Sequence, residues 1–235
     1  MLIITGSFGP LFSAIIVTGL THGKSGLREL KNSIFKWRVG IRWYVAAFFF
    51  PLIFALFAYL LYVWLGGEPQ NLSELQPWYT YFPALLFVLL LGGGLEEPGW
   101  RGFALPRLQA RYSALTASIF LGAIWAVWHL PAFFAPYSAQ SGLPFGWYLL
   151  HTIALSVILT WLFNNTRGSI LMVMLLHAGL NAVGNWVPLY AVGGAISQFT
   201  AIVIIEYILV LVLVIVFKPS HLSSHPRIIK PYPLE

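Results

Sequence analysis

Apolar runs, each about as long as a bilayer is thick, succeed one another along this chain and leave it few possible folds. A helix rises 1.5 Å per residue, so about 17 to 25 apolar residues match a hydrocarbon core about 30 Å across. Such runs stand at 2–20, 43–66, 79–95, 114–134, 147–163, 169–187 and 198–217 of the 235 residues. Lipid offers backbone polar groups no partner, so segments of this kind satisfy their own hydrogen bonds as helices. The expected fold is all-α: a polytopic transmembrane bundle of about seven spans, forming a single domain over 1–217 and followed by a tail over 218–235. The first run has no basic segment before it and no small-residue cleavage site, and reads as a retained span rather than a signal peptide.

The thirteen Lys and Arg residues suggest how such a bundle is oriented, because cytoplasmic loops retain positive charge. Lys24, Arg28, Lys31, Lys36, Arg38 and Arg42 occupy the first connection, Arg101, Arg107 and Arg111 the third, Arg167 the fifth, and Lys218, Arg227 and Lys230 the tail. The second, fourth and sixth connections, 67–78, 135–146 and 188–197, contain none. Seven spans, with the N-terminus outside and the C-terminus cytoplasmic, place every cation on one side. The net charge of +6 is therefore read as topology, and the expected partner is the lipid bilayer of a prokaryotic plasma membrane, not nucleic acid. Residues 26–43 mix cations with Leu, Ile, Phe and Trp, as an interfacial helix does. The tail, with Pro219, Pro226, Pro231 and Pro233, is expected to be irregular.

Only 9% of the residues are charged, against about a quarter in soluble domains, so ionisable groups at membrane depth stand out as site candidates. The stretch 95-LEEPGWRGFALPRL-108 follows directly on an apolar run. If the third helix continues to Arg107, Glu96 lies about 16 Å inside the membrane. Measured from Arg167, His177 lies about 15 Å deep and Asn181 about 21 Å; His129 lies about 27 Å along the fourth helix from Arg111. Three helices can thus bring these groups to one cavity.

Helical spacing sharpens the picture. Glu97 and Arg101 are four apart, share a face and can form an ion pair, while Glu96 is turned about 100° away. His177 and Asn181 project together, and Trp125 sits one turn from His129. A single intramembrane His or Asn can be glue between helices; a Glu pair, two His and an Asn in one cavity favour chemistry. Pro98 is expected to kink the helix, and the nearby glycines to permit close packing. Glu206, in the last span, has no cationic neighbour on its own helix, and His151 is expected to be interfacial; neither is assigned a role.

The combination suits hydrolysis. Glu96 can take a proton from water as general base, His129 can orient that water or bind a metal, and His177 with Asn181 can donate to a developing oxyanion. Other chemistries lack their residues. There is no Cys for a thiol nucleophile and no Asp for a paired-aspartate site, and none of the six His is followed by Glu as an H-E-x-x-H zinc site requires.

The ordered patterns E-E-x-x-x-R, aromatic-x-x-x-H and H-x-x-x-N resemble those of the CPBP intramembrane proteases, also called the Abi or type II CAAX endopeptidase-like family. Glu96, Glu97 and Arg101 match the first pattern, His129 the second, and His177 and Asn181 the third; the likeness covers roughly 80–185, the expected catalytic core. The resemblance implies an endopeptidase that cleaves membrane-associated or lipidated peptides or proteins, prenylated substrates and bacteriocin precursors among them. It implies that Glu96 and His129 activate water, that Glu97 and Arg101 support them, and that His177 and Asn181 steady the oxyanion. The family's metalloprotease naming makes zinc a candidate cofactor, for which Glu96, His129 and His177 could supply the usual three protein ligands; a metal-free mechanism fits the residues as well. Trp125 stands where the family usually has Phe. The chain begins at a segment resembling an internal helix of longer relatives, whose N-terminal helix is expected to lie ahead of this start or to be absent. The alternatives are a non-catalytic scaffold or bacteriocin-immunity protein of the same fold and, more remotely, a proton-coupled transporter.

Overall fold

A computed structural model describes residues 2–69, 71, 75–136, 138–186 and 197–229, and among these there is helix but no strand. The helices are α1 (Leu2–Ile34), α2 (Ile41–Trp64), α3 (Tyr81–Leu91), α4 (Leu105–Arg111), α5 (Ala114–Trp128), α6 (Leu130–Phe133), α7 (Phe145–Asn165), α8 (Ile170–Trp186) and α9 (Gln198–His221). Each expected apolar run appears as helix. Among the described residues, four segments are long and apolar enough to cross a membrane: Ile41–Trp64, the composite Trp78–Arg111, Phe145–Asn165 and Gln198–His221. The apolar helices α5 and α8 are shorter, at 15 and 17 residues. The chain is an integral membrane protein, although among the described residues four helices meet the requirement by length and composition alone, not the expected seven.

Several boundaries differ from the sequence reading. Helix α1 runs on past its apolar half, broken at Gly23 by a left-handed φ of 58° that glycine tolerates. Its basic half stops at Ile34, so the amphipathic segment is not helical through residue 43. Residues 35–40 instead form a strap: Lys36 Nζ donates to the Arg167 carbonyl at 2.7 Å, and Ser169 Oγ donates to the Lys36 carbonyl at 2.6 Å. Partial burial and the Arg167 charge together pull the Lys36 ammonium below its ordinary pKa.

The tail is irregular from Leu222 onward, as its prolines suggest, but what is described of it is docked rather than free. Gln109 Nε2 donates to the Ile228 carbonyl at 2.8 Å, Arg227 Nε donates to the Gln109 carbonyl at 2.8 Å, and Asn164 Nδ2 donates to the His221 carbonyl at 2.9 Å. These bonds satisfy buried amides that would otherwise carry a desolvation cost. Most of the expected connection 188–197, with Lys230 and the rest of the C-terminal residues, lies outside the described residues.

The core sits between α2, α3, α5, α7, α8 and α9, where Phe54, Leu85, Leu121, Trp125, Leu159, Met172, Leu176 and Phe199 are buried together. Helix α5 packs on α7, and α8 packs against both α2 and α3. The apolar half of α1 closes on the segment after α3. Gly99 makes that approach possible, since a Cβ there would stand 2.5 Å from the Pro10 side chain and 2.6 Å from its carbonyl oxygen. The outward faces of α2, α5 and α9 carry exposed Phe, Leu, Ile and Val, which lipid rather than water would solvate.

Candidate active site

The motif-bearing segment is helical throughout but not uniformly α-helical. Helix α3 ends at Leu91, and the extended Gly92 (φ −131°, ψ −145°) leads into a 3₁₀ turn over Gly93–Glu96. A π turn follows over Pro98–Ala104, and α4 resumes the α-helical path. The expected continuation through the motif is therefore present, but the principal break falls at Gly92, with Pro98 opening the π turn. A proline at a first helical position loses no hydrogen bond, because its N–H would be unpaired there anyway. Changes of helical type of this kind re-aim side chains and are frequent at functional sites.

The two adjacent carboxylates face different partners. Glu97 and Arg101 are fully buried, and Arg101 Nη1 reaches both Glu97 oxygens at 3.0 Å. His177, from α8, places Nδ1 2.7 Å from Glu97 Oε1. The Arg101 guanidinium carbon also lies 5.1 Å from the Trp125 ring centre, within cation–π range. Two charges so deeply buried are tolerable only as a pair.

Glu96 turns instead toward α5. Its Oε2 accepts from the Trp125 indole Nε1 at 2.8 Å and from the Trp100 indole Nε1 at 3.3 Å. Its Oε1 lies 3.9 Å from His129 Nε2, too far for a direct hydrogen bond. His129 caps the C-terminal end of α5, and its Nδ1 lies 3.0 Å from the Trp125 backbone carbonyl. A carbonyl only accepts, so Nδ1 carries the proton and, in the neutral ring, Nε2 is an acceptor. Glu96 and His129 thus present two acceptor atoms to the same space.

That space is a cavity of about 640 Å³, lined by Glu96, Trp100, Trp128 and His129 together with apolar residues such as Val127 and Ala132. Its polar groups are few and its walls are mostly hydrocarbon and aromatic, the pattern of sites that receive apolar ligands.

His177 and Asn181 are brought together over the 3₁₀ turn. A Cβ on Gly93 would stand 2.6 Å from His177 Nε2 and 2.8 Å from Asn181 Nδ2. Only a glycine leaves room for both nitrogens there. The His177–Glu97 contact has a chemical consequence. A carboxylate oxygen only accepts, so Nδ1 of His177 is the donor; its Nε2 is then an acceptor in the neutral ring and a donor only in the imidazolium. Asn181 Nδ2 donates in either case.

The residues do not fit a zinc ion held by Glu96, His129 and His177. Zinc takes three protein ligands in a catalytic site, yet among the described residues no group of three His, Cys, Asp or Glu side chains gathers closely enough to hold a metal. His177 Nδ1 is turned to Glu97, whereas Glu96 faces His129 and two indoles.

Two parts of the polar interior escaped the sequence reading. His151 is not simply interfacial: its Nδ1 lies 2.9 Å from Glu206 Oε1, pairing α7 with α9. Trp125 does more than sit one turn from His129, since its indole also donates to Glu96, and Trp100 is not among the residues the spacing singles out. The signal for Trp100 was present, since it lies four residues after Glu96 and its indole N–H is a donor without an acceptor function.

Residues 77–183 match the family described as type II CAAX prenyl endopeptidase Rce1-like, a range that contains Glu96, Glu97, Arg101, His129, His177 and Asn181. CAAX prenyl protease 2 of Methanococcus maripaludis is 31% identical to this chain over 188 residues, covering 73% of this chain and 68% of that protein. A membrane-embedded bundle with three ordered motifs inside the matched range accords with both likenesses, and the chain therefore belongs to the Rce1-like type II CAAX prenyl endopeptidase family, the CPBP-type intramembrane proteases.

Proposed function

We propose that this protein is an endopeptidase for lipidated substrates of the CAAX prenyl class, and that Glu96 and His129 activate the water that cleaves them. The observation that carries the reading is the 3.9 Å gap between Glu96 Oε1 and His129 Nε2 on the wall of the apolar cavity. One water can donate a hydrogen to each of these acceptors, which turns its oxygen lone pairs toward a bound peptide. Positioning of this kind, joined to general-base catalysis, contributes about 10²- to 10⁴-fold.

The reaction then runs as a hydrolysis. Glu96 Oε1 takes a proton as the water oxygen bonds to the scissile carbonyl carbon, and the carbonyl oxygen becomes an oxyanion. Asn181 Nδ2 donates to that oxyanion, joined by His177 Nε2 when the ring is an imidazolium; such donors act where charge develops in the transition state. The proton held by Glu96 passes to the amide nitrogen, the C–N bond breaks, and one water has been consumed. Glu97 and Arg101 act from behind, holding His177 in place.

The lining favours a lipid-bearing chain. Ile124, Val127 and Trp128 are partly exposed on the flank of α5, so a prenyl group could enter from the bilayer while the peptide reaches Glu96. A single transmembrane domain over 1–217 with its catalytic core at roughly 80–185, a cytoplasmic C-terminus and a place in a prokaryotic plasma membrane complete the proposal, the orientation supported by the one-sided distribution of Lys and Arg.

The test is cleavage of an internally quenched, prenylated CAAX peptide by the protein in lipid vesicles. Glu96→Gln and His129→Ala should each abolish turnover while the protein remains folded. Wild-type rates in both variants would rule out this chemistry.

A further inference from the structure

Trp125 touches both members of the Glu96–His129 pair through different atoms. Its indole Nε1 donates to Glu96 Oε2 at 2.8 Å, and its backbone carbonyl accepts from His129 Nδ1 at 3.0 Å. Trp100 Nε1 adds a longer contact, 3.3 Å, to the same Glu96 oxygen. Trp125 is buried at 3% exposure and Glu96 at 4%, so bulk water does not compete for this bond.

We infer that Trp125 is a positioning residue, which with Trp100 clamps Glu96 Oε2 between two indole N–H groups and leaves Oε1 as the oxygen that meets water. This rests on the reading of Glu96 as the base. A carboxylate free to rotate presents either oxygen in many directions; one oxygen bonded to two rings on different segments fixes the plane of the group. The ring contributes something a Phe cannot. Phe would fill much of the same volume but leave Glu96 Oε2 with the weaker Trp100 contact alone. The backbone bond to His129 would survive any side-chain change, so a replacement that keeps the shape of the ring, and with it the edge contact to the His129 ring at 5.9 Å, isolates the carboxylate half of the arrangement. The other neighbours of the ring, His177 at 5.2 Å and Arg101 at 5.1 Å, touch its faces and edges and do not depend on the N–H.

Two replacements separate clamp from packing. Trp125→Phe removes the donor, and 3-benzothienylalanine placed at position 125 keeps the bicyclic shape while replacing N–H by sulfur. With the prenylated CAAX peptide, both should lower kcat by about ten- to a hundredfold, the range for losing a hydrogen bond to a charged group, with KM within about twofold. Trp100→Phe should have the smaller effect. A purely structural role predicts wild-type kcat for the isosteric replacement, and that result would overturn the clamp.

An activity-independent measurement keeps the two ideas apart. The indole ¹H–¹⁵N signal that disappears in Trp125→Phe should shift upfield in Glu96→Gln, because a neutral amide is a weaker acceptor than a carboxylate. If Glu96→Gln still cleaves peptide, the assignment of the base fails and this signal alone decides the hydrogen bond. An unmoved signal overturns the clamp.

Discussion

His177 Nδ1 lies 2.7 Å from Glu97 Oε1, and the same carboxylate receives Arg101 Nη1 at 3.0 Å. Glu97 therefore joins a buried cation to a ring that overlies the 3₁₀ turn, and it has both a structural and an orienting part. Removing one partner of a buried ion pair typically costs about 3–5 kcal/mol, because the other charge is left uncompensated. Glu97→Gln should lower stability by about that amount in thermal unfolding of the detergent-solubilised protein, and it should abolish peptide cleavage. Adding Arg101→Met to Glu97→Gln should recover most of the stability without recovering activity, since His177 still lacks its carboxylate. Recovery of both would leave Glu97 with a structural role alone.

Gly93 is the second point of leverage. A methyl group there would press on His177 Nε2 and Asn181 Nδ2 at 2.6 and 2.8 Å, distances that force one or both to move. Loss of a single oxyanion donor costs about 10²- to 10³-fold in kcat. Gly93→Ala is expected to fall in that range with KM little changed, as steady-state kinetics on the prenylated peptide would reveal. An unaltered kcat would remove Asn181 and His177 from oxyanion stabilisation.

How much of this was legible in the sequence depends on the kind of signal. The i,i+4 spacing placed Arg101 on Glu97, and the roughly 100° offset turned Glu96 elsewhere; both arrangements are present because the changes of helical type leave the Glu97–Arg101 contact intact. The break at Gly92 and the π turn were not legible. Three successive glycines permit many backbone paths, and packing of Gly99 on Pro10 of α1 helps select one. The Glu206–His151 pair joins residues 55 positions apart on two helices, and periodicity along one helix carries no information about rotation relative to another. For a similar reason the spacing could pair His177 with Asn181 but not say which ring atom faces Glu97.

The cavity walls offer a test of the substrate class. Ala132 is a small residue on the lining beside His129, and Ala132→Trp would fill space while leaving the Glu96 and His129 side chains chemically unchanged. For a prenylated peptide, KM should rise by about tenfold, equivalent to ~1.4 kcal/mol of lost binding, while the unprenylated peptide of the same sequence should be affected much less. Equal effects on both peptides would mean that the lipid does not lie in this cavity.

Glu206 and His151 form a second carboxylate–imidazole pair, 2.9 Å apart and with Glu206 only 2% exposed. Tyr148 stands between this pair and the site, its ring 5.9 Å from His151 and 5.6 Å from His129. These are edge and tilted ring contacts, so the pair adjoins the site through packing and is expected to serve the union of α7 with α9. His151→Leu should destabilise the protein by about 3–5 kcal/mol, because it strands a carboxylate among apolar neighbours. The double change His151→Leu with Glu206→Leu should cost much less than the two single changes summed, since it removes both groups that require a partner. Thermal unfolding of the four proteins gives this cycle directly. The double variant should keep a kcat within about twofold of wild type; a drop of about a hundredfold with normal stability would instead make the second pair part of the proton path.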